Sequence, residues 1–147
     1  MTTTYTILGF TTLLTTIQSR MTKANESALE KAAQIIEAEA KRVIGTYDYG
    51  WTPLAASTLA RKKADTPLLE TAEMRDSIEH MSNDKEASVG SNNDKALWHE
   101  LGTVKIPPRP FLVGALQHKE AEIVQMIGDR IHATILGKTI SLPSVSE

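Results

Sequence analysis

Apolar positions along this chain repeat at two periods, and the switches between them divide it into elements. From Asn25 onward, "ESALEKAAQIIEAEAKRVI" sets Leu29, Ala32, Ala33, Ile36, Ala40 and Val43 on one helical stripe. That segment opens with Glu behind an asparagine able to cap it, carries Lys41 and Arg42 in its last turn and meets Gly45, so it predicts a long amphipathic helix. Upstream, "TYTIL" (Thr4 to Leu8) is β-branched and aromatic and stops at Gly9, which predicts a short strand. Between the two, Phe10, Leu13, Leu14 and Ile17 fall at helical intervals among many threonines, predicting a separate short helix.

Periodicity lapses between Gly45 and Pro67, where Gly50 and Pro53 also fall. Residues 45–67 are therefore expected to be a long, partly mobile loop in which "ASTLARKK" supplies a helical turn or two. "PLLETAEMRDSIEHM" then predicts a short helix followed by a strand over Asp76 to Met81. "SNDKE" is a turn and "ASVGS" a second strand closed by Gly90, together a hairpin. Asp94 is the expected cap of a turn or two of helix carrying Ala96, Leu97 and Leu101. The last element repeats apolar residues at Leu112, Leu116, Ile123, Met126, Ile127, Ile131 and Ile135, with Pro110 in its first turn and Gly137 at its end. Such a helix runs on the order of 40 Å. That exceeds the width of so small a domain, so one end is expected to project or to pack on another subunit. Residues 138–147 form a tail, and 1–147 are expected to be a single domain.

Composition narrows the chemistry. A chain of 147 residues buries about two-thirds of its unfolded surface as one domain. Aromatics are only 5%, so aliphatic side chains and alanine must fill the core, which favours helices over a β-sandwich. A net charge of -2 lacks the basic excess by which a protein tracks phosphates, so no sequence-specific nucleic acid is expected as partner. There is no cysteine, which removes thiol nucleophiles, sulfur-ligated zinc and disulfides. No apolar run approaches the roughly twenty residues of a membrane span, so no membrane partner is expected.

The densest chemistry lies in "WHELGTVKIPPRPFL". His99 and Glu100 suggest a zinc helix, but the second histidine such a motif needs is replaced by Thr103. Pro107 and Pro110 beside Arg109 form a P-x-x-P string, yet apolar neighbours Trp98, Leu101, Ile106, Phe111 and Leu112 tie it into a core. The favoured reading is a rigid structural corner built from Trp98, Glu100, Gly102, Pro107, Pro108, Arg109, Pro110 and Phe111. Gly102 frees the backbone where a short helix ends, Pro107 and Pro108 hold the chain extended, Phe111 anchors it, and Glu100 is a candidate partner for Arg109. No nucleophile elbow or phosphate loop is present, so no catalytic residue, cofactor or metal is expected. In the loop, Tyr47, Trp51, Arg61, Lys62 and Lys63 are candidate partner contacts, with Trp51 either an aromatic anchor or a core residue beneath the loop. The competing reading is a small accessory enzyme or nucleic-acid-binding protein using His99 and Glu100 or the Arg61 to Lys63 cluster.

Taken in order, "W-TPLAASTLARK", "PLLETAEMRDSI", "ASVGSNNDKALWHELGT" and "IPPRPFL" resemble the virion-morphogenesis proteins of tailed bacteriophages, the minor tail or tail-completion proteins that join head to tail. The resemblance spans Trp51 to Leu112 and departs at Ala72, where the family pattern has glycine after Thr71, so a less sharp turn is expected there. It implies an α+β fold, a small mostly antiparallel sheet packed against a long N-terminal helix and a long C-terminal helix. It also implies a non-enzymatic structural protein in the virion neck or tail, assembled in the bacterial host cytoplasm as an oligomeric ring, often sixfold. Its partners would be other copies of itself, the head-tail connector, and tail tube or terminator proteins.

Overall fold

A computed structural model describes residues 7–137, with side chains from residue 11 onward. In chain order the elements are α1 (Ile7–Val43), α2 (Ala56–Lys62), α3 (Glu73–Asp76), β1 (Ile78–Ser82), β2 (Ala87–Ser91), α4 (Asp94–Leu101) and α5 (Leu112–Ile135). The fold is α+β: two long helices and one small antiparallel sheet. At 1.5 Å per residue, the 37 residues of α1 span roughly 55 Å and the 24 of α5 about 36 Å.

Two core clusters fix how the long helices lie. Ala40, Val43 and Ile44 meet Phe111 and Ala115, while Ala32 and Ile35 meet Ile123 and Met126. Helix α5 therefore runs back along α1, antiparallel to it. Alanines at 24, 28, 32, 33 and 40 line the buried face of α1, small enough for the helices to approach closely. No helix among the described residues is long and apolar enough to cross a membrane.

The N-terminal expectation is corrected. Thr4 to Thr6 of the predicted strand lie outside the described residues, and Ile7 and Leu8 already belong to α1. The separate helix merges into the same element, and Asn25 sits mid-helix rather than capping anything, because buried Ala24 and Ala28 carry the packed stripe through it. The threonines are accommodated by bonding backwards: the hydroxyls of Thr15, Thr16 and Thr22 donate to the carbonyls of Thr11, Thr12 and Gln18 at 3.0, 2.9 and 3.2 Å.

The hairpin pairs Ile78 with Ser91 through to Ser82 with Ala87, so Gly90 lies within β2 rather than closing it. Its turn is held by Asn83, whose side-chain oxygen accepts from the amides of Lys85 and Glu86 at 2.8 and 2.9 Å. Ile78 is fully buried, whereas His80 reaches α1 and stands between two carboxylates, Glu37 at Nδ1 and Glu30 at Nε2 (2.9 Å). The hydroxyl of Ser82 donates to Glu30 as well. With an acceptor at each ring nitrogen, the imidazole is best served by its charged form, and hydrogen bonds to Glu37 and then Glu30 hold its pKa above the ordinary value. Glu30 is held down to about 2 by bonds from Ser82, His80 and Gln34.

Candidate functional site

The corner begins at α4. Asn93, not the expected Asp94, caps this helix, its side chain accepting from the Lys95 amide at 3.0 Å; Asp94 stands in the first turn. At the other end Gly102 has φ 77°, and a Cβ there would lie 3.0 Å from both the nitrogen and Cδ of Pro108. Glycine is therefore required twice over, by the backbone angle and by the proline pressed against it. The chain turns through Thr103, whose amide donates to the Ile106 carbonyl at 2.8 Å and whose hydroxyl accepts from the Ile106 amide at 3.0 Å. Beyond Pro107 and Pro108, the amide of Arg109 donates to the His99 carbonyl at 2.7 Å and closes the corner onto α4.

The two charged residues of the corner do not meet as the sequence led one to expect. Glu100 turns to the start of α5: one carboxylate oxygen accepts from the amides of Phe111 and Leu112 and the other from Val113, each at 2.9 Å. A helix leaves its first amides without intrahelical partners, and here a carboxylate from another helix supplies three of them while lying at the positive end of the helix dipole. Helix α5 accordingly starts at Leu112, with Pro110 ahead of it rather than in its first turn. Arg109 is 5% exposed and points the opposite way, Nε and Nη2 donating to the Thr52 carbonyl at 3.2 and 2.8 Å, with Pro53 at 3.4 Å. The buried guanidinium thus fastens the corner to the 45–67 segment.

Phe111 is fully buried and shares its cluster with Val43, Trp51, Met74, Ile78 and Ala96. Burying such a ring contributes about 1.5–3 kcal/mol. Leu112 packs partly buried against the same cluster, whereas two other expected anchors are not inside: Trp98 is 46% and Leu101 70% exposed, because α4 turns Ala96, not its larger residues, toward the core.

The partner-contact candidates separate. Trp51 is 7% exposed and belongs to the main core. Tyr47 donates to Asp65 and accepts from the Leu54 amide at 3.3 Å. Arg61 pairs with Glu70, Lys62 donates to the Thr66 carbonyl at 2.5 Å, and exposed Lys63 ends α2 with φ 55°. Between α2, the segment before α3 and the corner lies an open groove of about 490 Å³ that gathers Arg61, Lys62, Lys95, Lys105 and Arg109 against Glu70 and Glu73. His99 stands on its wall with Nδ1 buried and without a partner. Burial, then the nearby charges of Arg109, Lys62 and Lys95, push its pKa down.

Sequence reasoning missed a second junction. The ring of Tyr49 stacks on His118 at 4.0 Å, meets Trp51 edge-on at 5.7 Å and sends its hydroxyl to buried Glu39 at 2.8 Å. One edge of the ring is pressed against Gly114, where a Cβ would stand 2.8 Å from the ring carbons Cδ2 and Cε2. The one available signal was a glycine in the first turn of an otherwise strong helix.

The chain matches the phage virion morphogenesis family over residues 7–132. It belongs to that family. It is also 33% identical over 121 residues to the Mu-like prophage FluMu G protein 2 of Haemophilus influenzae, 70% of this chain and 86% of that protein. No solved structure matches it. The phage virion morphogenesis match takes in the corner, the hairpin and most of both long helices. Within it, Ala72, where glycine was expected after Thr71, adopts φ 64° and ψ -6°, a left-handed backbone that costs an L-residue roughly 1–2 kcal/mol.

Proposed function

We propose that this phage virion morphogenesis protein is a tail-completion or head-tail joining subunit, a non-enzymatic component that assembles as a ring at the neck or the head-proximal end of the tail. Its neighbours there are other copies of itself, the connector on the head side, and tube or terminator proteins on the tail side, with assembly in the host cytoplasm. Family membership supports the reading. The observation that carries it is the use made of the corner's polar groups: both oxygens of Glu100 and the guanidinium of Arg109 are spent on backbone amides and carbonyls, the arrangement of a brace. The exposed cations of the 45–67 segment, Arg61 and Lys63 with Tyr47 and Lys62 beside them, are the proposed contacts to neighbouring virion proteins, while Trp51 supports them from the core.

Disrupting the gene in its phage and viewing lysates by electron microscopy tests this directly. Separate filled heads and tails, rejoined when the protein is supplied in trans, are the expected result. Fully joined, infectious particles without the protein would remove the basis of the proposal.

A further inference from the structure

The brace at the corner leaves part of a buried cation unused. Arg109 is 5% exposed, and its Nε and Nη2 donate to the carbonyls of Thr52 and Pro53, which carry no charge. Its remaining nitrogen, Nη1, makes no hydrogen bond and is not sealed from solvent, so the guanidinium opens at that atom onto the groove it lines. A charge this deep ordinarily has a counter-ion, because burying it alone is costly. Among the described residues no carboxylate pairs with Arg109, and Glu100, its neighbour at the corner, is committed to the amides of α5. The walls repeat the imbalance. Lys62 from α2, Lys95 from α4 and Lys105 from the turn after α4 line the same groove without a carboxylate partner among the described residues, Lys62 donating instead to the Thr66 carbonyl. Of the two carboxylates on the groove, Glu70 is taken by Arg61, which leaves Glu73 facing Arg109 and the three lysines. His99 registers the excess: its Nδ1 is without a partner, and after burial every charge that shifts it is cationic. Leu54, Leu68, Met74 and Ile106 stand between these groups, so the lining is apolar as well as cationic.

We propose that this groove is the docking site for an acidic segment of a neighbouring virion protein, whose carboxylates are received by Arg109, Lys62, Lys95 and Lys105 and whose apolar side chains lie on Leu54, Leu68 and Ile106. This deepens the reading of the chain as a joining subunit and rests on it, naming what one neighbour presents. A volume of about 490 Å³ is that of an ordinary ligand pocket and takes a few residues of a peptide. A protein segment supplies carboxylates and apolar groups together. Nucleic acid suits the groove less, because following a phosphate backbone needs a basic surface continuous over many phosphates, and here the cations are confined to one groove on a chain of net charge -2. Arg109 thereby has two parts: Nε and Nη2 hold the corner to the 45–67 segment, and Nη1 meets the incoming carboxylate.

The probe is a short end-blocked peptide of alternating glutamate and leucine, titrated at low salt into the isotope-labelled full chain and followed by NMR. Its glutamine counterpart, a thymidine oligonucleotide and inorganic phosphate are the comparisons. The glutamate peptide is expected to shift the amides around Arg109 and the ring signals of His99, and the glutamine peptide to leave them in place. Lys95→Glu combined with Lys105→Glu changes two exposed side chains that take no part in the brace, so circular dichroism should be unaltered while binding weakens roughly tenfold or more. Supplied in trans to the disrupted phage, the same double variant should fail to join heads to tails. Undiminished peptide binding by the double variant, a groove that takes phosphate or the oligonucleotide and not the peptide, or full rescue by the double variant overturns the proposal. In each of those cases the joining reading stands as long as the unaltered protein rescues. Particles that join without the protein remove that reading, whereas peptide binding lost in the double variant would still establish the groove as a site for acidic segments.

Discussion

Replacing Glu100 by alanine removes the group that starts α5. The side chain accepts three amide hydrogens at 2.9 Å; those of Phe111 and Leu112 are shielded from solvent, while that of Val113 is open to it. Water can take over the open amide at small cost. Each shielded one loses a charge-assisted bond worth about 1–1.5 kcal/mol here, at or just below the low end of the range for such bonds because the carboxylate itself is only half-buried. The sum, about 2–3 kcal/mol, sits slightly above a strong side-chain cap, as befits one carboxylate serving three donors. In a domain of this size it lowers the melting temperature by roughly 5–10 °C. Glu100→Gln retains one good acceptor and should lose about half as much. Urea denaturation gives the free energies, and amide hydrogen exchange should accelerate at Phe111 and Leu112 before the rest of α5. A Glu100→Ala protein within about 0.5 kcal/mol of the parent would refute the assignment of these bonds as the start of the helix.

Gly114→Ala should destabilise the protein by about 1–2 kcal/mol, since the added methyl meets the Tyr49 ring and overpacking outweighs the gain of about 1 kcal/mol in helix propensity; a urea midpoint above the parent's refutes the contact. Ala72→Gly should raise stability by about 0.5–1 kcal/mol in the same assay, the relieved left-handed strain exceeding the added freedom of the unfolded chain, and a loss would show that φ is not strained there. The His80 clamp gives a pH signature. Its raised pKa makes its contribution complete below about 6.5 and lost as pH climbs through the folded value, whereas the lowered pKa values of Glu30 and Glu37 make theirs complete above about 4.5 and lost on acidification. Stability measured against pH should therefore fall on the alkaline side, and that fall should be smaller in His80→Gln; an unchanged profile would dispose of the clamp.

Helical periodicity made both long helices legible, and turn chemistry made the hairpin legible, because those signals are local. Asn25 misled for the same reason: its capping preference is a local property, and the alanine stripe on either side that overrode it acts only through packing against α5. The corner was readable in outline, since Gly102 and the prolines constrain their own backbone, but not in its pairing. Arg109 chose carbonyls more than fifty residues away and Glu100 chose amides, an outcome decided by where helix ends fall in space. Trp98 and Leu101 read as core because hydrophobicity alone does not say which face of a two-turn helix turns inward. The approach of the Tyr49 ring to Gly114 left only a misplaced glycine as trace.

Helix α4 is a short lever with work on both sides. One side grips the first amides of α5 through Glu100, and the other presents Leu97, Trp98 and Leu101 to whatever lies beyond the molecule. Because Glu100 holds those amides, α4 cannot tilt without either moving the opening turn of a rod about 36 Å long, whose far end lies beside Arg20, or breaking the bonds that start it.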